Sequence, residues 1–272
     1  MRAENRTPLN AAALRRAALR PRGLWRDIEV VERTGSTNAD LLDRAQRGEP
    51  EGLVLAAEEQ SAGRGRMGRT WVSPPRAALS FSLLVRPAAV PPARRGWLPL
   101  LTGVAVAAAV TDVTGVKASL KWPNDVLAGE AKLAGILAEA AAGAVVVGVG
   151  LNVSTAPSEL PPRAGTALRP TSLRAEGAQA LGREPLLLAI LAGFERRYEA
   201  WQRAAGDPGR SGLRQEYLTW SATIGRLVRA ELPGGHALSG PAAGVDPDGR
   251  LLVRVSPGSE VAVAAADVVH LR

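Results

Sequence analysis

Two of the chain's three lysines stand in short motifs that could carry chemistry. Only three of the 34 basic side chains among the 272 residues are lysine, and the rest are arginine. Lys121 begins the segment Lys-Trp-Pro-Asn-Asp, and Lys132 begins Lys-Leu-Ala-Gly-Ile-Leu. An ammonium is a compact point charge on a flexible stem, able to follow a phosphate or a carboxylate through a reaction. Lys121 and Lys132 are therefore candidates for anion binding.

The polar residues of these motifs each have a structural alternative. Lys121 and Asp125 could hold a phosphate and its Mg²⁺ from two sides, and Asp125 is also a candidate base. Asn124 and Asp125 are equally good turn formers. Lys132 could instead be an edge-strand lysine that discourages aggregation. Asn152, in Gly-Val-Gly-Leu-Asn-Val, suits a structural hydrogen bond as well as a ligand contact.

Residues 63–68, Gly-Arg-Gly-Arg-Met-Gly, formally match the G-x-G-x-x-G dinucleotide fingerprint. That fingerprint requires a helix to begin there and an acidic residue about 20 positions further on. Pro74 and Pro75 would stop such a helix, and residues 86–88 contain no acid. The sequence also has no G-K-[ST] of a Walker A motif. A Rossmann or P-loop nucleotide site is therefore not predicted.

The same segment is better suited to a flexible clamp for anions. Its three glycines allow close backbone approach, and Arg64, Arg66 and Arg69 supply planar donor forks. The alternative is a solvated basic loop or an arginine-glycine contact with RNA. Trp71 follows the loop as either a stacking platform for a flat ring or an anchor in the core.

Composition excludes several other kinds of site. The chain has no cysteine, and its two histidines, His236 and His270, lie near the C-terminus. Disulfides, thiolate catalysis and zinc-thiolate sites are thereby excluded, as is a Ser-His-Asp triad in the main body. An apolar content of 46% is enough for a large core. The net charge of +8 comes from dispersed arginines, which indicates a solvated surface that attracts anionic substrates or an acidic partner.

Neither export nor membrane insertion is predicted. Arginines interrupt the first 24 residues, so they lack the uninterrupted apolar core of a secretory signal. The longest uncharged apolar stretch, residues 98–110, is shorter than the roughly 20 residues that cross a bilayer, and it is typical of a buried helix. We expect a cytoplasmic protein without membrane contact.

Apolar periodicity and turn formers predict a body of mixed helices and strands, followed by a β module. Ser36, Thr37 and Asn38 offer a cap for the second helix. Proline and small residues predict a surface loop over residues 154–170. The predicted helices are residues 10–20, 39–47, 97–113, 184–202 and 213–220. The predicted strands are residues 27–32, 52–58, 78–85, 118–121, 125–127, 133–141 and 144–153, and then 227–232, 251–255 and 261–263 in the module that begins near residue 223.

Five motifs, taken in chain order, resemble those of biotin protein ligases. They are Ser36-Thr37-Asn38, Gln60 followed by Gly-Arg-Gly-Arg-Met-Gly-Arg-Thr-Trp, Lys-Trp-Pro-Asn-Asp, Lys-Leu-Ala-Gly-Ile-Leu and Gly-Val-Gly-Leu-Asn-Val. The resemblance implies an α+β fold rather than a doubly wound one. A class II synthetase-like catalytic domain, with a mixed sheet flanked by helices, would occupy residues 25–220. An SH3-like β-barrel would occupy residues 221–272, and residues 1–24 would form a lead-in helix.

The resemblance also implies a reaction and a role for each motif. Biotin would react with MgATP to give biotinyl-adenylate, and a lysine of a biotin carboxyl carrier protein would then take the acyl group. The implied catalytic residues are Lys132, Arg64, Arg66 and Asp125, with Asp125 also the candidate Mg²⁺ ligand. The implied biotin-binding residues are Ser36, Thr37, Asn38, Gln60, Gly63, Arg64, Arg66, Lys132 and Gly135, and the implied nucleotide-binding residues are Arg66, Arg69, Trp71, Lys121, Asn124, Lys132 and Asn152.

The chain also departs from the family pattern. Met67 stands where relatives are often basic, which would loosen the loop without abolishing its grip. Relatives that repress transcription carry an N-terminal winged helix-turn-helix longer than the 24 residues that precede the match, so DNA binding is not expected. A ligase for lipoate or another carboxylic acid is the nearest alternative, and an arginine-rich RNA-binding protein is a more distant one. The oligomeric state, including a homodimer, stays open.

Overall fold

Five α-helices and twelve strands in two sheets make up the described part of the chain, which comprises residues 6–162, 168–232, 236–256, 258–264 and 266–271 of the computed structural model. The helices are α1 (Ala11–Ala18), α2 (Thr37–Gln46), α3 (Trp97–Thr114), α4 (Arg183–Arg203) and α5 (Leu213–Trp220). The larger sheet contains β1 (Asp27–Thr34), β2 (Leu53–Gln60), β3 (Ala78–Val85), β4 (Ala118–Lys121), β5 (Asp125–Ala128), β6 (Ala131–Ala141) and β7 (Ala144–Asn152). The smaller contains β8 (Leu227–Glu231), β9 (Ala237–Val245), β10 (Leu251–Ser256), β11 (Ser259–Val263) and β12 (Asp267–His270).

The larger sheet is mixed, with the strand order β1-β2-β3-β7-β6-β5-β4. Strands β1 and β2 are parallel and are joined by α2, as a parallel pair requires a crossover connection. The remaining neighbours pair antiparallel. The hairpin predicted around Gly143 is confirmed, because β6 and β7 pair along their length.

The two faces of this sheet are covered differently. On one face, Leu79 and Val147 belong to the core that includes α3 and α4. On the other face, Leu84 and Val146 lie under α2, which covers only one end of the strands. Beyond α2 the same face carries small residues that leave space above the sheet. These residues are Ser80 and Ser82 of β3 and Gly148 and Gly150 of β7.

Helix α3 is buried, as its apolar sequence predicts. The segment Pro92–Thr114, which includes it, is long and apolar enough to cross a membrane by length and composition, and 67% of its most apolar window is buried inside the protein. The core helix of a globular protein passes the same test. Here the helix packs against α4 and against β4, β5 and β6, so its apolar surface is satisfied within the fold.

The smaller sheet has the order β11-β10-β9-β8-β12 and is antiparallel throughout. It docks on the larger unit through two buried indoles. Trp97 Nε1 donates to the Asp246 carbonyl at 3.2 Å, and Trp122 Nε1 donates to the Gly249 carbonyl at 3.0 Å. The turn that contains Asp246 and Gly249 is therefore fixed against α3 and the turn between β4 and β5.

The lead-in segment is joined to the core by a buried ion pair. Arg183 and Glu58 approach to 2.6 Å, and both side chains are almost fully buried. Glu58 accepts from the Leu9 amide at 2.6 Å, and Arg183 donates to the Thr7 carbonyl at 2.7 Å. Residues 1–5 lie outside the described residues. In the loop predicted at 154–170, a short 3₁₀ turn spans Pro157–Glu159, and residues 163–167 lie outside the described part.

Candidate active site

A cavity of about 830 Å³ lies over the uncovered part of the larger sheet, and the smaller sheet forms one of its walls. This volume suits a small molecule with a nucleotide, since ligand pockets span about 300–1,000 Å³. Of the predicted site residues, Gly63 and Asn152 do not line this main cavity. Those that do are Ser36, Thr37, Asn38, Gln60, Arg64, Arg66, Arg69, Trp71, Lys121, Asn124, Asp125, Lys132 and Gly135.

Glycines on neighbouring strands make the floor of the main cavity. Gly135 of β6 pairs with Gly150 of β7, so the two positions lie side by side. A Cβ at Gly150 would lie 2.3 Å from Trp71 Cε2, and one at Gly148 would lie 2.1 Å from Asn38 Oδ1. The Gly-Val-Gly motif therefore makes room for an indole and an amide that lie directly on the sheet. Trp71 is half-buried at the cavity surface and is not an anchor inside the core.

We expect Gly150→Ala to destabilise the fold by about 1–3 kcal/mol, because the added methyl overlaps the Trp71 ring. Urea unfolding would measure this change, and titration with biotin would show weaker binding if the indole is displaced. Gly244→Ala is the matched control, since a Cβ at that strand position meets its nearest neighbour at 3.8 Å. Equal unfolding midpoints for the two variants would contradict the close packing of Trp71.

Uncharged hydrogen-bonding side chains at the start of α2 and the end of β2 form one end of the cavity, and the Glu139 carboxylate anchors them from outside the lining. The Thr37 amide donates to Gln60 Oε1 at 2.9 Å. Ser82 Oγ donates to Asn38 Oδ1 at 2.6 Å, and Asn38 Nδ2 donates to Glu139 Oε2 at 2.8 Å. These contacts fix the side chains at the start of α2 and the end of β2. Gln60 Nε2 donates no hydrogen bond to any described residue. A ligand at this end would therefore meet a fixed amide donor.

Lys132 lies across the sheet from Gln60, because β3 and β7 separate β6 from β2. Its Nζ is 2.6 Å from Asp125 Oδ1, and the two side chains form an ion pair. The pairing register of β5 and β6 shifts between Val126 and Leu127, and Leu127 then pairs with Lys132. Bulges of this kind re-aim side chains next to functional sites. Strand β6 lies between β5 and β7, so the interpretation of Lys132 as an edge-strand lysine is wrong.

The backbone around these two residues is braced from other elements. The Lys132 amide donates to the Arg169 carbonyl at 2.8 Å, and the Thr171 amide donates to the Lys132 carbonyl at 2.8 Å. Asn124 Nδ2 donates to the Ile136 carbonyl at 3.0 Å, which holds the Pro-Asn turn against β6. Asn124 thus has the structural role of a turn former, and it also lines the cavity.

Lys121 forms no ion pair with any described residue, although it lines the cavity. Burial lowers the pKa of its ammonium; nearby Asp125 opposes this effect, and the neighbouring Lys132 cation adds to it. A partly dehydrated cation without a counter-ion is an attractive position for an anion. Lys121 and Lys132 together therefore make this end of the cavity suitable for phosphate or carboxylate oxygens.

The glycine-arginine loop, residues 63–71, folds back on itself over the cavity. The Gly65 amide donates to the Arg69 carbonyl at 2.6 Å, and the Trp71 amide donates to the Gly63 carbonyl at 2.9 Å. A Cβ at Gly63 would lie 2.5 Å from the Trp71 carbonyl oxygen, so Gly63 permits the loop to close. Met67 adopts a left-handed φ of 55° and is exposed.

Asn152 makes a structural hydrogen bond, which is one of the two alternatives that the sequence offered for this residue. Its side chain is buried, and Nδ2 donates to the Thr171 carbonyl at 2.9 Å. That carbonyl belongs to the same segment that braces the Lys132 backbone. Asn152 therefore supports the cationic end from below and does not face the space available to a ligand.

The sequence did not point to the residues that the smaller sheet contributes to the cavity wall. Asp267 and His270 of β12 line the cavity, together with Arg226, the residue before β8. His270 Nε2 lies 3.1 Å from Thr223 Oγ1. Burial lowers the pKa of the His270 imidazole to about 4, and the Lys121 and Arg226 cations add to the effect. The ring is therefore neutral at pH 7.

We expect His270 to make the protein less stable as the pH falls from about 6.5 to about 4. In that window the unfolded chain binds a proton at His270 and the folded protein does not, so protonation favours unfolding. His270→Gln should flatten the dependence of the unfolding free energy on pH over this range. Chemical denaturation at several pH values would measure it, with His236→Gln as the control. Identical slopes for parent and His270→Gln would refute the assignment.

The chain matches known proteins over nearly its whole length. The biotin/lipoate A/B protein ligase family model matches residues 30–155, and the biotin protein ligase C terminal domain model matches residues 223–271. The biotin--[acetyl-CoA-carboxylase] ligase of Mycobacterium tuberculosis is 45% identical over 271 residues, which cover 98% of this chain and 97% of the relative. The bifunctional ligase/repressor BirA of Bacillus subtilis is 32% identical over 235 residues, which cover 85% of this chain and 69% of the relative.

The fold agrees with these matches. The structure of biotin protein ligase from Aquifex aeolicus in complex with biotin and ATP superposes with a TM-score of 0.70 at 24% identity, covering 91% of this chain and all of that one. The mixed sheet with flanking helices is thus the class II synthetase-like fold, and the smaller antiparallel sheet is the SH3-like barrel. From these matches we conclude that the chain belongs to the biotin protein ligase family.

Proposed function

We propose that this chain activates biotin with ATP as biotinyl-5'-adenylate and transfers the biotinyl group to a lysine of a biotin carboxyl carrier protein. The observation that carries the proposal is a single cavity with a neutral hydrogen-bonding end and a cationic end. Gln60 stands at the first end, and Lys121 and Lys132 stand at the second. Biotin has a matching division, with a neutral ureido ring at one end and a carboxylate at the other.

The neutral end suits a ureido ring because its donors and acceptors are held in place. Ser36, Thr37 and Asn38 are all buried at the start of α2. Gln60 Nε2 is free to donate to a carbonyl oxygen, since Gln60 Oε1 already accepts from the Thr37 amide. We assign the ureido ring to this end, with the loop above it and the glycine floor below.

The cationic end addresses the main barrier of the first step, which is repulsion between two anions. The carboxylate oxygen bonds to the α-phosphorus while the bond to pyrophosphate breaks. Lys132, Lys121 and Arg66 supply positive charge before either anion arrives, so little reorganisation is required as the reaction proceeds. We assign Arg69, Asn124 and Trp71 to the nucleotide side as well.

Mg²⁺ fits this site as an ion that arrives with ATP. Among the described residues, no three histidine or acidic side chains converge to hold a metal alone. Magnesium commonly uses one or two carboxylates together with substrate phosphates, and Asp125 can supply such a carboxylate. When bound, the ion neutralises phosphate charge. Asp125 would then exchange its ion pair with Lys132 for the metal, and the Lys132 ammonium would pair with the bound phosphates.

In the second step the carrier amine attacks the acyl carbon, an amide bond forms, and AMP leaves. The attacking ammonium must first lose a proton, and Asp125 is our candidate acceptor. Its carboxylate lines the cavity and lies 2.6 Å from Lys132 Nζ, next to the cation assigned to the reacting anions. The glycine-arginine loop would shelter the mixed anhydride from water until the carrier arrives.

The domain bounds, the cellular location and the protein partner that we propose all depend on this proposed function. We propose residues 25–220 as the catalytic domain, 221–272 as the barrel and 1–24 as the lead-in, with action in the cytoplasm. The carrier domain of acetyl-CoA carboxylase is the proposed protein partner, and the net charge of +8 favours an acidic one.

Biotin-dependent exchange of pyrophosphate with ATP tests the first step, and a streptavidin blot of a carrier domain tests the second. We expect exchange with biotin and none above background with lipoate, since lipoate has no ureido ring to meet Gln60. Exchange that occurs with lipoate but not with biotin would show that lipoate, and not biotin, is the substrate. No exchange with either acid, together with polynucleotide binding that falls steeply with salt, would favour the RNA-binding alternative.

A further inference from the structure

The three arginines of the glycine-arginine loop have different surroundings. Arg64 and Arg69 are exposed and each contacts an acid outside the loop, whereas Arg66 is half-buried. The motif itself does not distinguish them, since each of the three directly follows a glycine. Their different environments indicate different tasks.

Arg64 is paired with Glu139 of β6, with Nη1 3.5 Å from Oε1. Glu139 does not line the main cavity, but it accepts a hydrogen bond from Asn38 Nδ2 at 2.8 Å. One carboxylate thus connects the loop with the start of α2. Glu139 can therefore act on a bound ligand only by positioning Arg64 and Asn38.

Arg69 is paired with Asp267 at the start of β12, in the barrel. This ion pair connects the loop with the smaller sheet across the mouth of the cavity. Both side chains are partly exposed, so solvent screens the attraction. The contact is consequently weak enough to break when the loop has to admit a ligand.

Arg66 lines the cavity and forms no ion pair with any described residue. Burial lowers the pKa of its guanidinium, and the charges of Asp267 and Asp125 oppose this effect. Arginine nevertheless remains protonated in proteins. Arg66, the middle one of the three, is therefore the loop cation that is not paired with a described acidic residue.

We propose that Glu139 and Asp267 are positioning residues that hold the loop over the cavity through Arg64 and Arg69, and so leave Arg66 to meet the reacting anions. This inference rests on the proposed function for what the loop covers. It changes the role of Arg64, which the family resemblance alone assigns to ligand contact and catalysis. It likewise changes the role of Arg69, which was assigned above to the nucleotide side. It also makes the barrel a support for loop closure.

Proteolysis of the ligand-free protein tests the two ion pairs without requiring activity. Subtilisin cleavage within residues 63–71 would be followed for Glu139→Gln, Asp267→Asn and the double variant. We expect subtilisin to cleave each single variant roughly two- to fivefold faster than the parent. The increase for the double variant should be about the product of the two single-variant increases. Glu199→Gln is the matched control, because Glu199 pairs with Arg203 at 3.7 Å on the surface of α4, away from the loop.

Salt dependence and a charge exchange separate positioning from a general loss of structure. Cleavage of the parent should rise with ionic strength, whereas cleavage of the double variant should barely change. Exchanging the charges, with Arg69→Asp and Asp267→Arg together, should return cleavage to within about twofold of the parent. Since Glu139 and Asp267 do not touch the reactants in this scheme, the double variant should raise the KM for biotin more than it lowers kcat.

Parent-like cleavage of both single variants would overturn the proposal, as would an exchanged pair that cleaves like Asp267→Asn. A lower kcat with an unchanged KM would also overturn it. These results are separate from the fate of the proposed function. A parent protein that fails to exchange pyrophosphate would refute the function, while the cleavage data would still report whether the two acids hold the loop.

Discussion

Lys132→Met is expected to lower the rate of biotin-dependent pyrophosphate exchange by about 10²- to 10³-fold. Methionine keeps an unbranched side chain of similar length, so the main change is loss of the ammonium. The biotin carboxylate and the α-phosphate would then approach each other without the charge that lies between them. Exchange measured at saturating biotin and ATP reports this loss as a fall in kcat.

Two further variants show whether the effect belongs to this ammonium. Lys117→Met is the matched control, because Lys117 is exposed at the residue before β4 and should exchange at the parent rate. Lys132→Met also leaves Asp125 without its partner, so Lys132→Met combined with Asp125→Asn separates the unpaired carboxylate from the missing cation. Parent-like kcat in the well-folded double variant would remove Lys132 from the mechanism.

Arg66→Gly is expected to release biotinyl-adenylate about 10- to 100-fold faster, which corresponds to one lost hydrogen bond with a charged group. In the proposed function the loop holds the adenylate in part, and Arg66 is the loop cation that forms no ion pair with a described residue. Trapping the released adenylate with hydroxylamine in the absence of carrier would measure the rate.

Met67→Gly is the control for added flexibility in the same loop. Met67 already adopts a left-handed φ, so glycine fits there without strain and no charge is removed. We expect adenylate release from this variant to stay close to that of the parent. Equal release from Arg66→Gly and Met67→Gly would mean that loop mobility, and not the guanidinium, controls retention.

Most elements of the larger unit were predictable because their signals are local. Helix α3 is apolar on nearly every side, and β3 is a fully buried strand with six apolar residues out of eight, bounded by proline and arginine. All predicted helices and strands of residues 10–153 and 184–220 are present, with small changes at their ends. Short-range patterns suffice where a segment is buried uniformly or capped clearly.

The smaller sheet was harder to predict. Strand β9 contains Gly240, Pro241 and Gly244, which resemble turn residues more than strand residues. Strand β12 has only four residues. Both strands are defined by pairing with β8, and that pairing is a long-range contact with no local signature. The wall residues Asp267 and His270 were missed for the same reason.

At the site, the motifs identified the right residue types but not their partners. The ion pair between Lys132 and Asp125 depends on the bulge between β5 and β6. Contact between Trp71 and Gly150 depends on a loop that returns to the sheet. Spacing along the chain carries no information about either approach, so Gly150 was recognised only as part of a motif.

The barrel wall has a consequence for the biosynthesis of an active molecule. The residues of the floor, the loop and both cavity lysines all lie before the end of β7 in the chain, whereas β12 is translated much later. Domains fold as units during synthesis, and the earlier part can acquire its sheet before the wall exists. A nascent chain at that stage would expose its lysines and loop to solvent on one side. The nascent protein should therefore be able to retain biotinyl-adenylate only after β12 has paired with β8.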